Sequence, residues 1–183
     1  MVKSVAVLVG LPGTGKTLAA QFFINNKFPV VRMGDLTHKH LKINKLSPSE
    51  KNEHQVREKL RQNLGQDIYA RSIIDKVKYL LKTHDLVIIE GMRSCQEWQF
   101  FQKNLKKVKI IYLQSDRKKR IKRLMNRLPR TLTLSEIEHR EKYEIEKLNL
   151  PRLKQLADFV VINNTDIQNF IHDLSIICKQ CQV

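Results

Sequence analysis

Five short apolar runs alternate along the chain with longer segments whose apolar residues recur at helical spacing. The apolar runs, which predict β-strands, cover residues 3–9, 29–33, 86–90, 108–113 and 158–162. The helical patterns cover residues 16–26, about 50–64, 67–82, 96–105, 116–128, 134–148 and 166–178. Strands that alternate with helices build a parallel sheet covered on both faces, so the pattern predicts an α/β fold in three layers. Ligands of such sheets bind at the carboxyl ends of the strands. The residues directly after each strand are therefore the first candidates for a functional site.

The first strand runs into the stretch GLPGTGKT at residues 10–17, which fits the phosphate-loop pattern Gly-x-x-x-x-Gly-Lys-[Ser/Thr]. Its glycines permit a loop that curls around an anion, and its backbone N–H groups and the following helix then point at that anion. Lys16 can reach the β- and γ-phosphates of a nucleotide, and the Thr17 hydroxyl can ligate Mg²⁺. The predicted nucleotide-binding residues of this loop are Gly10, Leu11, Pro12, Gly13, Thr14, Gly15, Lys16 and Thr17.

Acidic residues follow the second and the third strand. Asp35 comes after Met33-Gly34, where it can cap the next helix or place a carboxylate in the pocket of the phosphate acceptor. Glu90 ends the third strand and precedes Gly91-Met92-Arg93. Glu90 can hold Mg²⁺, and Arg93 can grip a phosphate with two hydrogen bonds. The alternative is that Glu90 and Arg93 pair only with each other.

The positive charge is concentrated in one segment. The chain of 183 residues carries a formal charge of +16, and residues 103–130 hold twelve Lys or Arg against one acid, Asp116. Such a segment can bind nucleic acid or surround a small polyanionic substrate. Within it, residues 116–128 predict a helix with the apolar stripe Ile121, Leu124, Met125 and Leu128. The Arg and Lys on its opposite face are typical of a solvated surface.

Length and composition favour a single domain over residues 1–183. No repeat, low-complexity tract or flexible linker marks a boundary. The N-terminal apolar run is too short to span a membrane, so we expect a soluble, cytoplasmic protein without membrane partners. Cys95, Cys178 and Cys181 form neither a disulfide framework nor a complete zinc site.

Several motifs occur together in an order that resembles the nucleoside monophosphate kinase superfamily of P-loop proteins. The resemblance is closest to the mainly archaeal adenylate-kinase-related group, often labelled dephospho-CoA-kinase-like. It rests on the phosphate loop and on PVVRMGD (29–35), Leu60-Arg61, VIIEGMRS (87–94), RLMNR (123–127), HREKYE (139–144) and ADFVVINN (157–164). This chain has Glu90 where the group usually has Asp. It also reads Leu128-Pro129-Arg130-Thr131-Leu132 where the group's lid often carries consecutive acids.

The resemblance implies a five-stranded parallel sheet, a helical acceptor-binding insertion over residues 36–84 and a short lid over residues 127–138. It also implies roles for individual residues. Arg93 and Arg61 match positions that hold the acceptor's phosphate. Glu90 matches an acid near Mg²⁺, and Asn163 lies in a loop that packs near the donor base. Arg123 and Arg127 match lid-base arginines that meet the donor, and Arg140 returns from the far side of the lid.

The leading hypothesis is therefore a kinase that transfers the γ-phosphate of ATP to a nucleoside monophosphate, with Mg²⁺ as cofactor. The expected catalytic residues are Lys16, Arg93, Arg123, Arg127 and Arg140, and the expected acceptor-binding residues are Asp35, Arg61, Glu90, Gly91 and Arg93. One alternative is a kinase of the dephospho-CoA type, in which Asp35 takes a proton from an acceptor hydroxyl. Another is an ATP-binding protein or ATPase that binds nucleic acid through residues 103–130. That alternative is not favoured, because nothing in the sequence resembles a recognised RNA- or DNA-binding motif.

Overall fold

A computed structural model of the chain describes residues 3–128 and 130–182, the side chain of Gln182 excepted. The sheet consists of β1 (Ser4–Val9), β2 (Val30–Arg32), β3 (Leu86–Glu90), β4 (Val108–Gln114) and β5 (Phe159–Ile162). The helices are α1 (Lys16–Asn25), α2 (Asp35–Ile43), α3 (Glu50–Leu64), α4 (Ile68–Arg71), α5 (Ile74–Leu80), α6 (Cys95–Asn104), α7 (Arg117–Met125), α8 (Leu134–Glu146), α9 (Leu150–Gln155) and α10 (Ile167–Gln182).

The five strands form one parallel sheet in the order β2-β3-β1-β4-β5. Side chains of β1 alternate between two apolar cores: Val5 and Val7 pack into one, and Ala6 and Leu8 into the other. Because a strand buried on both faces needs apolar residues at every position, β1 reads as a continuous apolar run. The predicted α/β fold with a five-stranded parallel sheet and helices on both faces is confirmed.

The sheet order places the phosphate loop at a topological switch point. β1 lies between β3 and β4, so the chain leaves β3 and β4 on opposite sides of the loop that follows β1. Crevices of this kind are the usual ligand sites of open parallel sheets. Helices α2 to α5 fill the connection between β2 and β3. Arg127 and Arg130, between α7 and α8, line a pocket at the same edge.

Two predicted helices differ from the structure. The helix predicted over 67–82 is broken into α4 and α5, because the Ser72 hydroxyl donates to the Tyr69 carbonyl (2.8 Å), which the Ile73 amide would use in a continuous helix. The helix predicted over 116–128 ends at Met125, where the Leu132 amide donates to the Leu124 carbonyl (3.2 Å). Leu132 packs on Leu124 there, so Met125 and Leu128 of the predicted stripe are exposed instead.

Helix α2 lies in the helical insertion that the resemblance implies, but neither α2 nor α9 is among the helices predicted from periodicity, because neither shows a long apolar stripe. Both begin directly after short loops, α2 at Asp35 and α9 at Leu150. None of the helices among residues 3–128 and 130–182 is long and apolar enough to span a membrane.

Candidate active site

The phosphate loop lies tightly against β4 and α7. Gly10 has φ of 148° and Gly13 has φ of 81°, values that residues with a side chain rarely adopt. A Cβ added at Gly10 would lie 2.3 Å from the Leu113 carbonyl oxygen, and one at Gly13 would lie 2.8 Å from that of Arg120. Glycine is therefore required at both positions by the close approach of backbone to backbone.

Asn163 and Arg123 hold the loop from the side of β5 and α7. The Asn163 amide donates to the Thr14 carbonyl (2.9 Å), and Arg123 donates to the Gly13 carbonyl (3.3 Å) and to Asn163 Oδ1 (3.2 Å). Arg120 adds a further contact to the loop, donating to the Pro12 carbonyl (3.4 Å). The two predicted residues thus fix the shape of the loop in addition to facing the pocket.

Lys16 begins α1 and turns its ammonium back across the loop. Its Nζ donates to the carbonyls of Gly10 (2.6 Å) and Leu11 (3.0 Å). Burial of the ammonium lowers the pKa of Lys16 to about 8, against the opposing effect of the Glu144 carboxylate, and the positive charges of Arg140 and Arg93 lower it further. The next residue, Thr17, is exposed and lines the same pocket. A bound polyphosphate would replace these carbonyls as partner of the ammonium.

This pKa predicts that ATP binding takes up protons at alkaline pH. Above about pH 8 an increasing share of Lys16 is neutral before binding, and the phosphates favour its charged form. Affinity should therefore fall as the pH rises through 8, by up to about tenfold per pH unit. Calorimetry at pH 8.5, in two buffers of different ionisation enthalpy, measures the uptake.

The Lys16→Arg variant is the matched control for this experiment, because a guanidinium stays charged throughout this range. Its ATP affinity should not change between about pH 7.5 and pH 9.5. If wild type takes up no protons, or if both proteins show the same pH profile, the assignment to Lys16 is wrong.

A pocket of about 600 Å³ opens beside the loop and brings most of the predicted site residues together. The predicted residues that line it are Pro12, Gly13, Gly15, Lys16, Thr17, Asp35, Arg61, Glu90, Gly91, Arg93, Arg123, Arg127, Arg140 and Asn163. Among the described residues its wall holds eight arginines and Lys16 against three carboxylates. Gly10, Leu11 and Thr14 lie in the same loop but outside this wall. A surface so rich in fixed positive charge suits ligands that carry several negative charges.

Carboxylates from α3 and α8 pair with arginines that line the pocket. Glu144 Oε1 lies 3.1 Å from Arg93 Nη1 and 3.2 Å from Arg140 Nε. Arg140 Nη1 also lies 3.0 Å from Glu50 Oε2. Burial lowers the pKa of Arg93 to about 10, against the opposing effect of Glu144. The arginines in turn hold the pKa of Glu144 below its ordinary value despite the burial of this carboxyl. These ion pairs connect the predicted lid side with the helical insertion.

Sequence reasoning missed the acidic partners and three basic neighbours. Arg57 pairs with Glu50 and with Glu53 (3.2 Å), and Arg130 also pairs with Glu53. The sequence did carry a signal for two of these ion pairs. Glu53 and Arg57 are four residues apart, as are Arg140 and Glu144, and this spacing places each pair on one helix face. Arg57 and Arg130 line the pocket together with the predicted arginines, and so does Arg32.

Arg61 is buried in the pocket wall with two donors unused. Only 3% of the residue is exposed, its Nη2 donates to Glu97 (2.8 Å), and its guanidinium lies 4.7 Å from the centre of the Tyr69 ring. Its Nε and Nη1 have no hydrogen-bond partner within residues 3–128 and 130–182. Glu97 also accepts from the Arg93 amide (2.7 Å), so one carboxylate orients both Arg61 and the loop of Arg93. The capping pattern Ser94-x-x-Glu97 was the sequence signal for this carboxylate.

Glu90 and Asp35 both face the pocket, with different partners. Glu90 lies 3.3 Å from Arg32 Nε, whereas Arg93 pairs with Glu144, so the two do not pair only with each other. Asp35 is the first residue of α2 and is exposed, and its side chain makes no capping hydrogen bond, since the N-cap is Gly34. The alternative of Asp35 as a helix cap is therefore wrong.

The cysteines play no part in this site. Cys95, Cys178 and Cys181 are free thiols, and burial raises the pKa of Cys181 to about 11. No cluster of three or more His, Cys, Asp or Glu that could hold a metal occurs among the described residues.

β4 divides the basic segment 103–130 between two ends of the sheet. Lys103 and Lys106 precede β4, at the edge where the strands begin. Arg117, Arg123 and Arg127 follow it, at the edge of the phosphate loop. The segment therefore does not form the single patch that its sequence indicates.

The parallel sheet, the phosphate loop at its switch point and the arginine-rich pocket define the P-loop kinase fold. A family model described as AAA domain matches residues 9–141. The chain is 35% identical to a UPF0200 protein of Thermococcus sibiricus, over 89% of this chain and 87% of the relative. It is 32% identical to a UPF0200 protein of Pyrococcus horikoshii, over 91% of each chain. The chain belongs to the AAA domain family and to the UPF0200 proteins.

Solved structures share the fold at low sequence identity. A shikimate kinase from Bacteroides thetaiotaomicron superimposes with a TM-score of 0.62 at 13% identity, over 98% of this chain and 99% of the other. A dephospho-CoA kinase from Campylobacter jejuni superimposes with a TM-score of 0.58 at 16% identity, over 98% of this chain and 97% of the other. The resemblance to P-loop kinases is confirmed.

Proposed function

We propose that this protein is an ATP-dependent phosphotransferase that moves the γ-phosphate of ATP to a nucleoside monophosphate such as AMP. The observation that carries the proposal is Arg61, whose guanidinium is buried at the pocket wall, with Nε and Nη1 unpaired in the part of the chain that the structure describes. Buried charged donors without partners cost free energy. The phosphate of an acceptor would supply both partners.

The donor side of the proposed site is the phosphate loop. Its amides and the Lys16 ammonium bind the β- and γ-phosphates, while Arg123, Arg127 and Arg140 contribute charge from the lid side. The Thr17 hydroxyl and the Glu90 carboxylate both line the pocket and are oxygen ligands of the kind Mg²⁺ prefers, so these two residues would hold the ion. Bound Mg²⁺ neutralises phosphate charge at such sites.

The acceptor side comprises Arg61 and Arg93, which would bind the phosphate of the monophosphate. Transfer forms a bond between an acceptor phosphate oxygen and the γ-phosphorus and breaks the bond from that phosphorus to the β–γ bridging oxygen, which leaves with ADP. The attacking oxygen is already ionised, so no base has to remove a proton. Positioning and neutralisation of charge are then the main tasks of the protein.

Comparing monophosphates with their nucleosides tests the acceptor assignment. Wild type should bind AMP, or another monophosphate in the set, at least about 100-fold more tightly than the matching nucleoside, because charge-assisted hydrogen bonds contribute about 1.5–3 kcal/mol each. Arg61→Lys keeps the charge but not the planar fork of donors, so it should reduce this ratio about tenfold.

The control is Arg71→Lys, which changes an exposed arginine outside the pocket and should preserve the ratio. Because Arg61 is buried, thermal unfolding of each variant shows whether the fold survives. Equal affinities of wild type for monophosphate and nucleoside would contradict the assignment.

Asp35 favours a second candidate, a kinase that phosphorylates a hydroxyl. Its carboxylate is exposed to the pocket and unused as a helix cap, so it could accept the proton of an acceptor hydroxyl as that oxygen attacks the γ-phosphorus. The shikimate kinase and the dephospho-CoA kinase that share this fold support keeping this candidate. In this reaction Arg61 and Arg93 would bind another anionic group of the acceptor.

A further inference from the structure

A row of lysines lies at the edge of the sheet opposite the pocket, where the strands begin. Lys3 lies two residues before Val5, and Lys106 lies two residues before Val108. Val5 and Val108 are partners in the pairing of β1 with β4. Lys82 precedes β3, and its carbonyl accepts from Lys3 Nζ (2.7 Å). We define the lysine edge as Lys3, Lys82, Lys103, Lys106, Lys109 and Lys179.

The other members join this row through the ends of helices. Lys103 lies in the last turn of α6, just before β4, and Lys179 lies near the end of α10. Lys109, in β4, donates to the Gln180 carbonyl (2.8 Å), which places the end of α10 beside the start of β4. With strands about 4.8 Å apart, the distance from β3 to β5 is about 14 Å.

Local carboxylates do not neutralise the lysine edge. Within residues 3–128 and 130–182, none of its six lysines forms an ion pair, whereas most of the pocket arginines do. Two carboxylates lie at this edge, Asp85 directly before β3 and Asp158 directly before β5. The Asp158 carboxylate accepts from the Ile110 amide (2.7 Å) in the sheet, and within the described residues neither acid forms an ion pair with the six lysines. All six lysines except Lys109 are exposed. This surface therefore attracts anions from solution.

Aromatic rings accompany the lysines. Tyr79, near the end of α5, is 69% exposed, and Lys82 Nζ lies 6.0 Å from the centre of its ring. Phe159 opens β5, with Lys109 Nζ at 5.5 Å from its ring centre. Phe159 is partly buried against the core, so Tyr79 is the exposed ring of this edge. An exposed ring beside cations is the element with which proteins bind single-stranded nucleic acids, stacking on bases and contacting phosphates. Strand starts and helix ends form this edge, unlike the amphipathic helix faces that insert into lipid surfaces.

We propose that the lysine edge binds single-stranded nucleic acid, with the lysines contacting phosphates and a base stacked on Tyr79. This surface is separate from the catalytic pocket and does not depend on the identity of the phosphate acceptor. Of the basic segment, the lysine edge includes only residues between 103 and 109. Its exposed aromatic ring, Tyr79, belongs to α5, about 25 residues earlier in the chain.

Anisotropy of labelled, unstructured 15-nucleotide RNA and DNA tests the proposal over a series of salt concentrations. The double variant Lys82→Glu/Lys106→Glu should lower affinity by at least about tenfold and flatten the salt dependence. Tyr79→Ala should lower affinity by about fivefold or more without changing the salt slope, because stacking does not release counterions.

The charge-matched control is Lys118→Glu/Lys122→Glu, on the exposed side of α7 at the other end of the sheet. It should change affinity less than about threefold. Unchanged ATP affinity in all variants shows that the fold is intact. Equal losses in the two double variants, no loss in Tyr79→Ala, or tighter binding to anionic phospholipid vesicles than to either oligonucleotide would overturn the proposal.

Discussion

Replacing Lys16 with alanine is expected to lower kcat for phosphate transfer by about 10³-fold or more. The ammonium is the cation built into the phosphate loop, and loss of a positioned donor to a transferring phosphoryl group has effects of this size. No other lysine lines the pocket among the described residues, so none can substitute. Steady-state and single-turnover assays with ATP and the best monophosphate acceptor measure the effect.

Two controls accompany this variant. Lys76→Ala removes an exposed lysine of α5, away from the pocket, and should leave kcat unchanged. Since Lys16 Nζ also holds the carbonyls of Gly10 and Leu11, thermal unfolding of Lys16→Ala shows whether the loop alone is loosened. A folded Lys16→Ala protein with wild-type turnover would exclude the phosphate loop as the donor site.

Replacing Arg93 with alanine is expected to weaken acceptor binding by about 30- to 150-fold, which corresponds to roughly 2–3 kcal/mol. Glu144, its partner, keeps Arg140 at 3.2 Å, so the variant does not leave this buried carboxylate unpaired. ATP affinity should change by less than about threefold, because Arg93 lies on the acceptor side. Separate calorimetric titrations with ATP and the monophosphate measure both affinities.

The matched control is Arg152→Ala, which removes an exposed arginine of α9 outside the pocket. It should leave both affinities unchanged. If Arg93→Ala weakens ATP and monophosphate equally, Arg93 belongs to the donor side and the proposed division of the pocket is wrong.

The ion-pair network around Glu144 compensates the charge of four pocket arginines. Glu50, Glu53 and Glu144 neutralise Arg57, Arg93, Arg130 and Arg140, and buried charges need such partners. A polyanionic substrate would compete with these carboxylates for the arginines. Arg61 differs because Glu97 uses only one of its nitrogens, so a ligand can bind it without displacing a carboxylate.

The sequence predicts the sheet and the phosphate loop well, because both depend on local signals. Apolar runs mark each strand, and the loop carries its glycines and Lys16 within eight residues. The break between α4 and α5 was missed, since it depends on one hydroxyl, that of Ser72, competing for a carbonyl. Periodicity alone cannot indicate such a local competition.

The partners of the site residues could not be predicted from the sequence. Arg140 and Glu50 are separated by 90 positions and meet only through packing of α8 near α3. The resemblance drew attention to Arg61 and Arg93, but only the structure gives their shared contact with Glu97. The separation of the basic segment by β4 likewise depends on the order of strands in the sheet.

A phosphate-transfer assay with ATP labelled at the γ-phosphate tests the central claim most directly. The acceptors are a panel of nucleoside monophosphates and, in parallel, the hydroxyl acceptor dephospho-CoA, each with wild type and with Asp35→Asn. We expect label in a nucleoside diphosphate and a decrease in kcat of less than about tenfold in Asp35→Asn, since no proton has to be removed. Label only in the phosphorylated hydroxyl, with a loss of about 100-fold or more in Asp35→Asn, would contradict the account.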